Sequence, residues 1–273
     1  MSYLVHSKEL QKIVVQKRTS RQIMFDVIFA LMMRELKTRF GNNRLGYFWA
    51  IAEPIAQVMI MGIVFSIIGR NSVSNIPIAL FLFTGMLPFK LFGNLLTQLS
   101  AAVDANKGLL SYRQVTAIDP VITRIIIELV TFLLVYVLIF SVMAWLGFNA
   151  WPDNVLGLLS ASTLLIIFTV GLGLILCTAI SYWKDASKFT AMITRPLFFI
   201  SGIFFCAVMI PPQYWHLLDW NPIFHAIELS RDSFFKAYES PVGSWFYLSF
   251  CALVSFSSGL ALFHLSRQRF INL

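Results

Sequence analysis

The chain has 273 residues, of which 58% are hydrophobic, with a mean hydropathy of +0.76 and a formal net charge of +8. A soluble domain of this length needs far less apolar side chain, so the composition points to a polytopic helical membrane protein. A basic chain can also suggest nucleic acid, but here the charge reads as the cytoplasmic collar of a membrane protein, and no nucleic-acid partner is expected.

In chain order, residues 1–21 read as a loosely ordered basic tail. They hold no short apolar run followed by a small-residue cleavage site, so no cleaved signal peptide is expected. Phe25, Phe29, Met32, Leu36 and Phe40 then recur every three or four residues as one helical stripe, with Asp26, Arg34, Lys37 and Arg39 largely off it. An apolar stripe with a basic remainder predicts a helix lying in the cytoplasmic interface, with a helix packed on protein as the alternative. Gly41-Asn42-Asn43 breaks it, and residues 1–48 form the tail and interface region ahead of a six-span domain over 49–273.

Six apolar stretches follow: Trp49–Gly69, Ile76–Leu99, Val121–Leu146, Val155–Trp183, Phe189–Ile210 and Gly243–Leu265. Each meets the roughly 20 helical residues that a hydrocarbon core of about 30 Å requires. Of the 21 basic residues, 17 fall before the first span or in the connections on that same side. The opposite side carries only Arg70, Arg231 and Lys236, so both termini are expected in the cytoplasm. All seven tryptophans lie at or near span ends, where amphipathic rings favour the headgroup zone.

Between the spans, the links at Arg70–Asn75 and Gly147–Asn154 read as turns. Ala101–Pro120 is too polar for hydrocarbon and reads as a cytoplasmic loop, with a short helix over Ala101–Tyr112 and Pro120 opening the next span. The last external link differs. Pro211-Pro212 stops the fifth span, yet Tyr214–Tyr238 remains rich in aromatic and aliphatic residues, and Asn221-Pro222 divides it. The expectation is a re-entrant pair of half-helices within 211–242, against the plainer alternative of a hairpin lying on the surface.

Two polar features interrupt the spans. Glu53-Pro54 kinks the first, and Glu53 is placed to pair with a cytoplasmic arginine such as Arg44. Lys90 lies in mid-span after Pro88, where an ammonium needs water or a partner. Either it faces a hydrated route for anionic cargo, or the span tilts and Lys90 reaches the external interface. Catalytic groupings are lacking. The dipeptide Gly-Lys never occurs, so there is no phosphate-binding loop, and the four histidines are scattered without zinc-ligand spacing. Cys177, Cys206 and Cys251 read as separate packing residues, with no metal site and no disulfide framework.

Several of these residues together resemble the permeases of ABC-2 type exporters, particularly those of bacterial capsular polysaccharide export (KpsM type). They are Arg34-Glu35-Leu36-Lys37-Thr38-Arg39-Phe40, Leu45-Gly46-Tyr47-Phe48-Trp49 with Glu53-Pro54, Gly85 with Pro88, and Asn221-Pro222 with Arg231. The resemblance spans almost the whole chain and implies an inner-membrane homodimer of six-span, all-α subunits carrying two copies of a separate cytoplasmic ATPase. ATP and Mg would sit on that partner, and this chain would hold no cofactor. Periplasmic co-polymerase and outer-membrane export partners, and membrane lipids, are implied as well.

By the same resemblance, the coupling segment would use Asp104, Lys107, Tyr112 and Arg113, and an external gate would use Pro211, Pro212, Trp215, Asn221, Pro222 and Arg231. Aromatic faces suit sliding sugar rings, which puts Tyr47, Trp49, Phe198, Phe199 and Phe204, with Lys90, on the substrate path. Arg34, Lys37, Arg39 and Arg44 would guide an acidic glycan at the cytoplasmic mouth or bind anionic headgroups. Lys90 departs from the neutral or aromatic residue expected at its position. Exporters of O-antigen or teichoic acid share these features. A membrane transferase acting on lipid-linked sugars would need clustered acids or histidines, which the chain lacks.

Overall fold

A computed structural model describes residues 19–40, 46–69, 72–73 and 76–271. Helix α1 (Ser20–Phe40) precedes α2 (Gly46–Ile67), a two-residue antiparallel hairpin of β1 (Ser72–Val73) with β2 (Ile76–Pro77), and α3 (Ile78–Ser100). A 3-10 turn at Asp104–Asn106 leads into the four-residue α4 (Lys107–Leu110). Then come α5 (Ile118–Trp145), α6 (Val155–Tyr182), α7 (Ala186–Ile200), 3-10 turns at Ala207–Met209 and Pro212–Leu217, α8 (Pro222–Phe234), α9 (Trp245–Leu265) and α10 (Arg267–Ile271).

Four helices among the described residues, α3, α5, α6 and α9, are long and apolar enough to cross a membrane. Their starts are written in the sequence. Asn154 caps α6 by accepting from Gly157 N, and Ser244 caps α9 by accepting from Tyr247 N. At α5 the relation is reversed: the Asp119 carboxylate, in the first turn, accepts from Thr116 N at 2.7 Å.

The core runs along α3 and α6. Phe81, Leu82, Met86, Phe92, Leu95 and Leu99 of α3 are fully enclosed. Helix α6 packs on α9 at very short range, because a Cβ at Gly171 would strike the α9 backbone at Ser255, and one at Gly259 would strike the Gly171 carbonyl. Ser255 Oγ donates across this seam to Phe168 O at 3.2 Å. Lipid tails are as apolar as leucine, so membrane helices gain little from apolarity alone; small residues that let backbones meet supply the packing. The outer faces of α5 and α9 instead present Leu133, Leu134, Val137, Phe250 and Leu253.

In α1 the Phe25 and Phe29 stripe points away from the rest of the chain, while Ile28, Leu31 and Glu35 on a neighbouring face turn inward. Two departures from the sequence reading have physical causes. The helix in the stretch read as a fifth span, α7, is only 15 residues long and stops at Ile200. Gly202 adopts φ 79° and ends α7, a left-handed stop that a glycine makes without strain. Finally, the two pieces around Asn221-Pro222 are unlike each other: the first is a six-residue 3-10 turn at the surface, the second a buried helix capped by Asn221.

Candidate functional site: a charged groove beside a pinned helix break

Glu53 leaves α2 one residue before Pro54, and Lys90 leaves α3 two residues after Pro88, so each stands near a turn with a missing backbone donor. The two helices bring them together: Lys90 Nζ donates to Glu53 Oε1 at 2.7 Å, and Gln57 Nε2 donates to the same oxygen at 3.3 Å. A lone lysine at a helix centre costs about 2.5–3.5 kcal/mol in a bilayer, and this partner offsets it. Lys90 is thus held at mid-helix by an ion pair. The expected partner Arg44 lies outside the described residues.

The pair lines an open groove of about 640 Å³ between α2, α3 and α7, with Asn94 and Thr97 on one wall and Thr194, Arg195 and Phe198 on the other. On its far side, Lys90 and Asn94 also border a small cleft with Glu128 and Phe132 of α5. Phe198 packs edge-on against Phe89, Phe199 and Phe204, with ring centroids 5.3–5.4 Å apart. The groove thus combines a cation of each of two helices, neutral hydrogen-bonding side chains and an aromatic flank. Such a surface can hold hydrated sugar rings by stacking and hydrogen bonding, and acidic substituents by charge.

Behind the aromatic flank, α7 ends and the chain runs non-helically through residues 201–206. Arg231 of α8, with no exposed surface, ties this break down. Its Nη1 donates to Gly202 O and Phe205 O at 2.6 and 3.0 Å, and its Nη2 to Ile203 O and Phe81 O at 3.0 and 3.3 Å. The guanidinium also lies 3.9 Å from the Phe81 ring centroid. The fork of N–H donors gives partners to the carbonyls of Gly202, Ile203 and Phe205, which lie past the end of α7. Gly85 leaves the room, since a Cβ there would collide with Arg231 Nη2.

Glu228 lies 3.6 Å from Arg231 and accepts from Tyr238 OH at 2.5 Å and Ser240 Oγ at 2.9 Å. His225 braces the same region: it accepts from Ser244 N through Nδ1 at 3.1 Å, so its other nitrogen, 2.7 Å from Asp219 O, is the donor.

The remaining expected residues fall as follows. Trp49 is exposed at the start of α2, and the side chains of Arg39 and Tyr47 lie outside the described residues. Lys37 is exposed, whereas Arg34 donates to Asn106 Oδ1 and so joins α1 to the 101–117 loop. In that loop Asp104 and Lys107 pair with each other at 2.5 Å, and Tyr112 and Arg113 are exposed. Pro211 and Pro212 open the surface turn, and Trp215 folds back to donate to Ala207 O and Ile210 O at 3.1 and 2.9 Å. Asn221 is buried, its Nδ2 donating to Ser201 Oγ at 3.0 Å, with Pro222 at the first position of α8.

Sequence reasoning missed Asn94 and Arg195 as groove residues, and Glu228 as the partner of Arg231. It also missed Arg124, whose Nε donates to Glu35 Oε1 at 3.0 Å and whose Nη1 donates to Gln98 O at 2.5 Å. The one signal that points to any of these is an acid three residues before an arginine on one helix, Glu228 and Arg231.

Residues 26–235 match the ABC-2 type transporter family. The chain belongs to that family. Among relatives, it is 37% identical over 246 residues to the polysialic acid transport protein KpsM of Escherichia coli, covering 90% of this chain and 95% of that one. It is 29% identical over 265 residues to the capsule polysaccharide export inner-membrane protein CtrC of Neisseria meningitidis serogroup A, covering 96% of both. It is 28% identical over 218 residues to the capsule polysaccharide export inner-membrane protein BexB of Haemophilus influenzae, covering 80% of this chain and 82% of that one. The stretch that matches the ABC-2 family contains the groove, the helix break and Arg231 alike.

Proposed function

We propose that this chain is the inner-membrane permease subunit of an ATP-driven exporter that passes a lipid-linked acidic capsular polysaccharide out of the cytoplasm. The observation that carries the reading is an ABC-2 chain, alike over nearly its full length to proteins named for polysialic acid transport and capsule export, with a groove that pairs basic side chains with an aromatic flank. A long hydrated glycan cannot cross hydrocarbon and does not fit a small closed pocket. A groove open along one side becomes a conduit when a second copy faces it across a two-fold axis, so the working form is a homodimer.

Six crossings are counted by adding α2 and α7, with its non-helical continuation, to the four long helices. Both termini then lie in the cytoplasm, as the charge bias favours. Helix α1 lies in the inner interface, its Phe25 and Phe29 toward lipid and its Ile28 and Leu31 toward protein. The break after α7, the surface turn and α8 form the external gate region; backbone at that depth is tolerated because Arg231 satisfies it.

The motor is a separate ATPase, two copies per dimer, holding ATP and Mg; the chain itself has no phosphate-binding loop. The 101–117 loop docks into it through the exposed Tyr112 and Arg113. Motion there is passed to α1 through Arg34 and Asn106, and from α1 to α5 through Glu35 and Arg124. Lys37, with Arg39 and Arg44, collects acidic cargo at the mouth. Periplasmic and outer-membrane export proteins receive it beyond.

The test is reconstitution of the chain with its ATPase in proteoliposomes, following a fluorescent lipid-linked acidic glycan. The expected result is transfer across the bilayer that requires both proteins and hydrolysable nucleotide. Transfer or chemical change of the glycan by the chain alone, or none with both present, would overturn the reading.

A further inference from the structure

The Glu53–Lys90 pair joins two helices of unequal freedom. Lys90 projects from α3, which is enclosed along most of its length, and its side chain is 19% exposed; the Glu53 side chain is 62% exposed. Glu53 also precedes Pro54, where α2 lacks one backbone hydrogen bond. If the pair opens, Glu53 is the member that moves and Lys90 the one that stays. Gln57, one turn along α2, already donates to Glu53 Oε1 and can keep that carboxylate bonded once the lysine is lost. Across the groove Arg195 has no ion-pair partner among the described residues. The groove therefore holds one masked cation and one open one.

The geometry points to an exchangeable ion pair: Glu53 stands in for cargo in the empty groove, and a sugar carboxylate of a passing acidic glycan, first met by Arg195, displaces it from Lys90. This rests on the export reading and adds to it the cargo class, glycans bearing carboxylates, and the pair of residues that selects them. An internal carboxylate in the resting site lowers affinity for each acidic unit. A sliding polymer needs that property, because binding at each step must be weak enough for the chain to leave. The same exchange rejects neutral glycans, which cannot displace Glu53.

The test uses the reconstituted complex with its ATPase and two probes, a lipid-linked oligosialic acid and the same molecule with its carboxyls reduced to alcohols. Both keep the phosphate of the lipid anchor, so a response that follows the anchor is separated from one that follows the sugar. The readout is the glycan concentration giving half-maximal stimulation of ATP hydrolysis, over each variant's own unstimulated rate. Wild type should respond to the acidic probe at lower concentration than to the reduced one. Lys90→Gln should raise the half-saturating concentration for the acidic probe roughly tenfold, the scale of one charge-assisted hydrogen bond, without moving that of the reduced probe. Glu53→Gln should lower it for the acidic probe only, and the double variant should match Lys90→Gln. Lys90→Arg, which keeps the charge, should retain the preference and serves if Lys90→Gln does not assemble. Equal responses of wild type to both probes, shifts of both probes together, or additive single effects would overturn the exchange and leave the export reading standing. Silence of wild type to both probes would overturn the export reading and the exchange with it.

Discussion

Arg231 has no exposed surface and spreads its guanidinium over four main-chain carbonyls from two separate stretches of chain. Breaking a buried charge pair from one side costs about 3–5 kcal/mol, because the other charge stays behind unpaired. Arg231→Met should therefore lower the temperature at which the purified protein leaves solution far more than Arg231→Met combined with Glu228→Gln. Equal losses for the two would mean that the carbonyl contacts alone carry the effect. Arg231→Lys should not restore wild-type behaviour, since an ammonium cannot reproduce the fork that spans Gly202, Ile203 and Phe205. Gly85→Ala should behave like a milder Arg231 variant, because the added methyl takes the space of Nη2. The sequence displayed Arg231 plainly but not its situation: charge counting placed it in an external loop, and only the fold turns it inward.

Among the elements, what the sequence made legible was length and apolarity, and what it hid was where helices stop and which face turns in. The long spans α3, α5, α6 and α9 lie close to where their apolar runs placed them, because hydrocarbon thickness dictates length. The end of α7 was hidden, since Ile203, Phe204 and Phe205 continue the apolar run past a break made by one glycine and sealed by an arginine 29 residues from Gly202. In helix α1 two faces carry apolar residues: the Phe25 and Phe29 stripe marked the helix, but it did not reveal the second face, with Ile28 and Leu31, that packs on protein. The contact that settles it is Glu35 with Arg124, side chains 10% and 9% exposed. Glu35→Ala should weaken the coupling of glycan to ATP hydrolysis and reduce heat stability, and Glu35→Ala with Arg124→Met should recover part of that stability. At the α6–α9 seam, Gly171→Val should prevent assembly of a stable protein, measured as loss of a single peak on gel filtration in detergent, because the side chain has only backbone to enter.

For the molecule as a whole, the proposed topology makes a direct demand. Reporters inserted after Asn149 and after Lys184, in the two loops flanking α6, should read opposite compartments, with Lys184 on the same side as Lys107. Agreement of Asn149 with Lys107 would sink the six-crossing arrangement. Replacing the 104–113 segment should abolish glycan-stimulated ATP hydrolysis while the permease still co-purifies with its motor. Unchanged export after that replacement would remove the coupling assignment.

The thiols bear on how such experiments are done. Cys177 and Cys206 are buried, and Cys251 sits half-buried inside the apolar run of α9. A charged maleimide dissolved in water has no ready target among them, so the native chain is its own blank. Single cysteines placed at Gln57, Asn94 or Thr97 can then report, by the rate at which they are alkylated, when the cleft between α2 and α7 is filled with solvent and when it is filled with sugar.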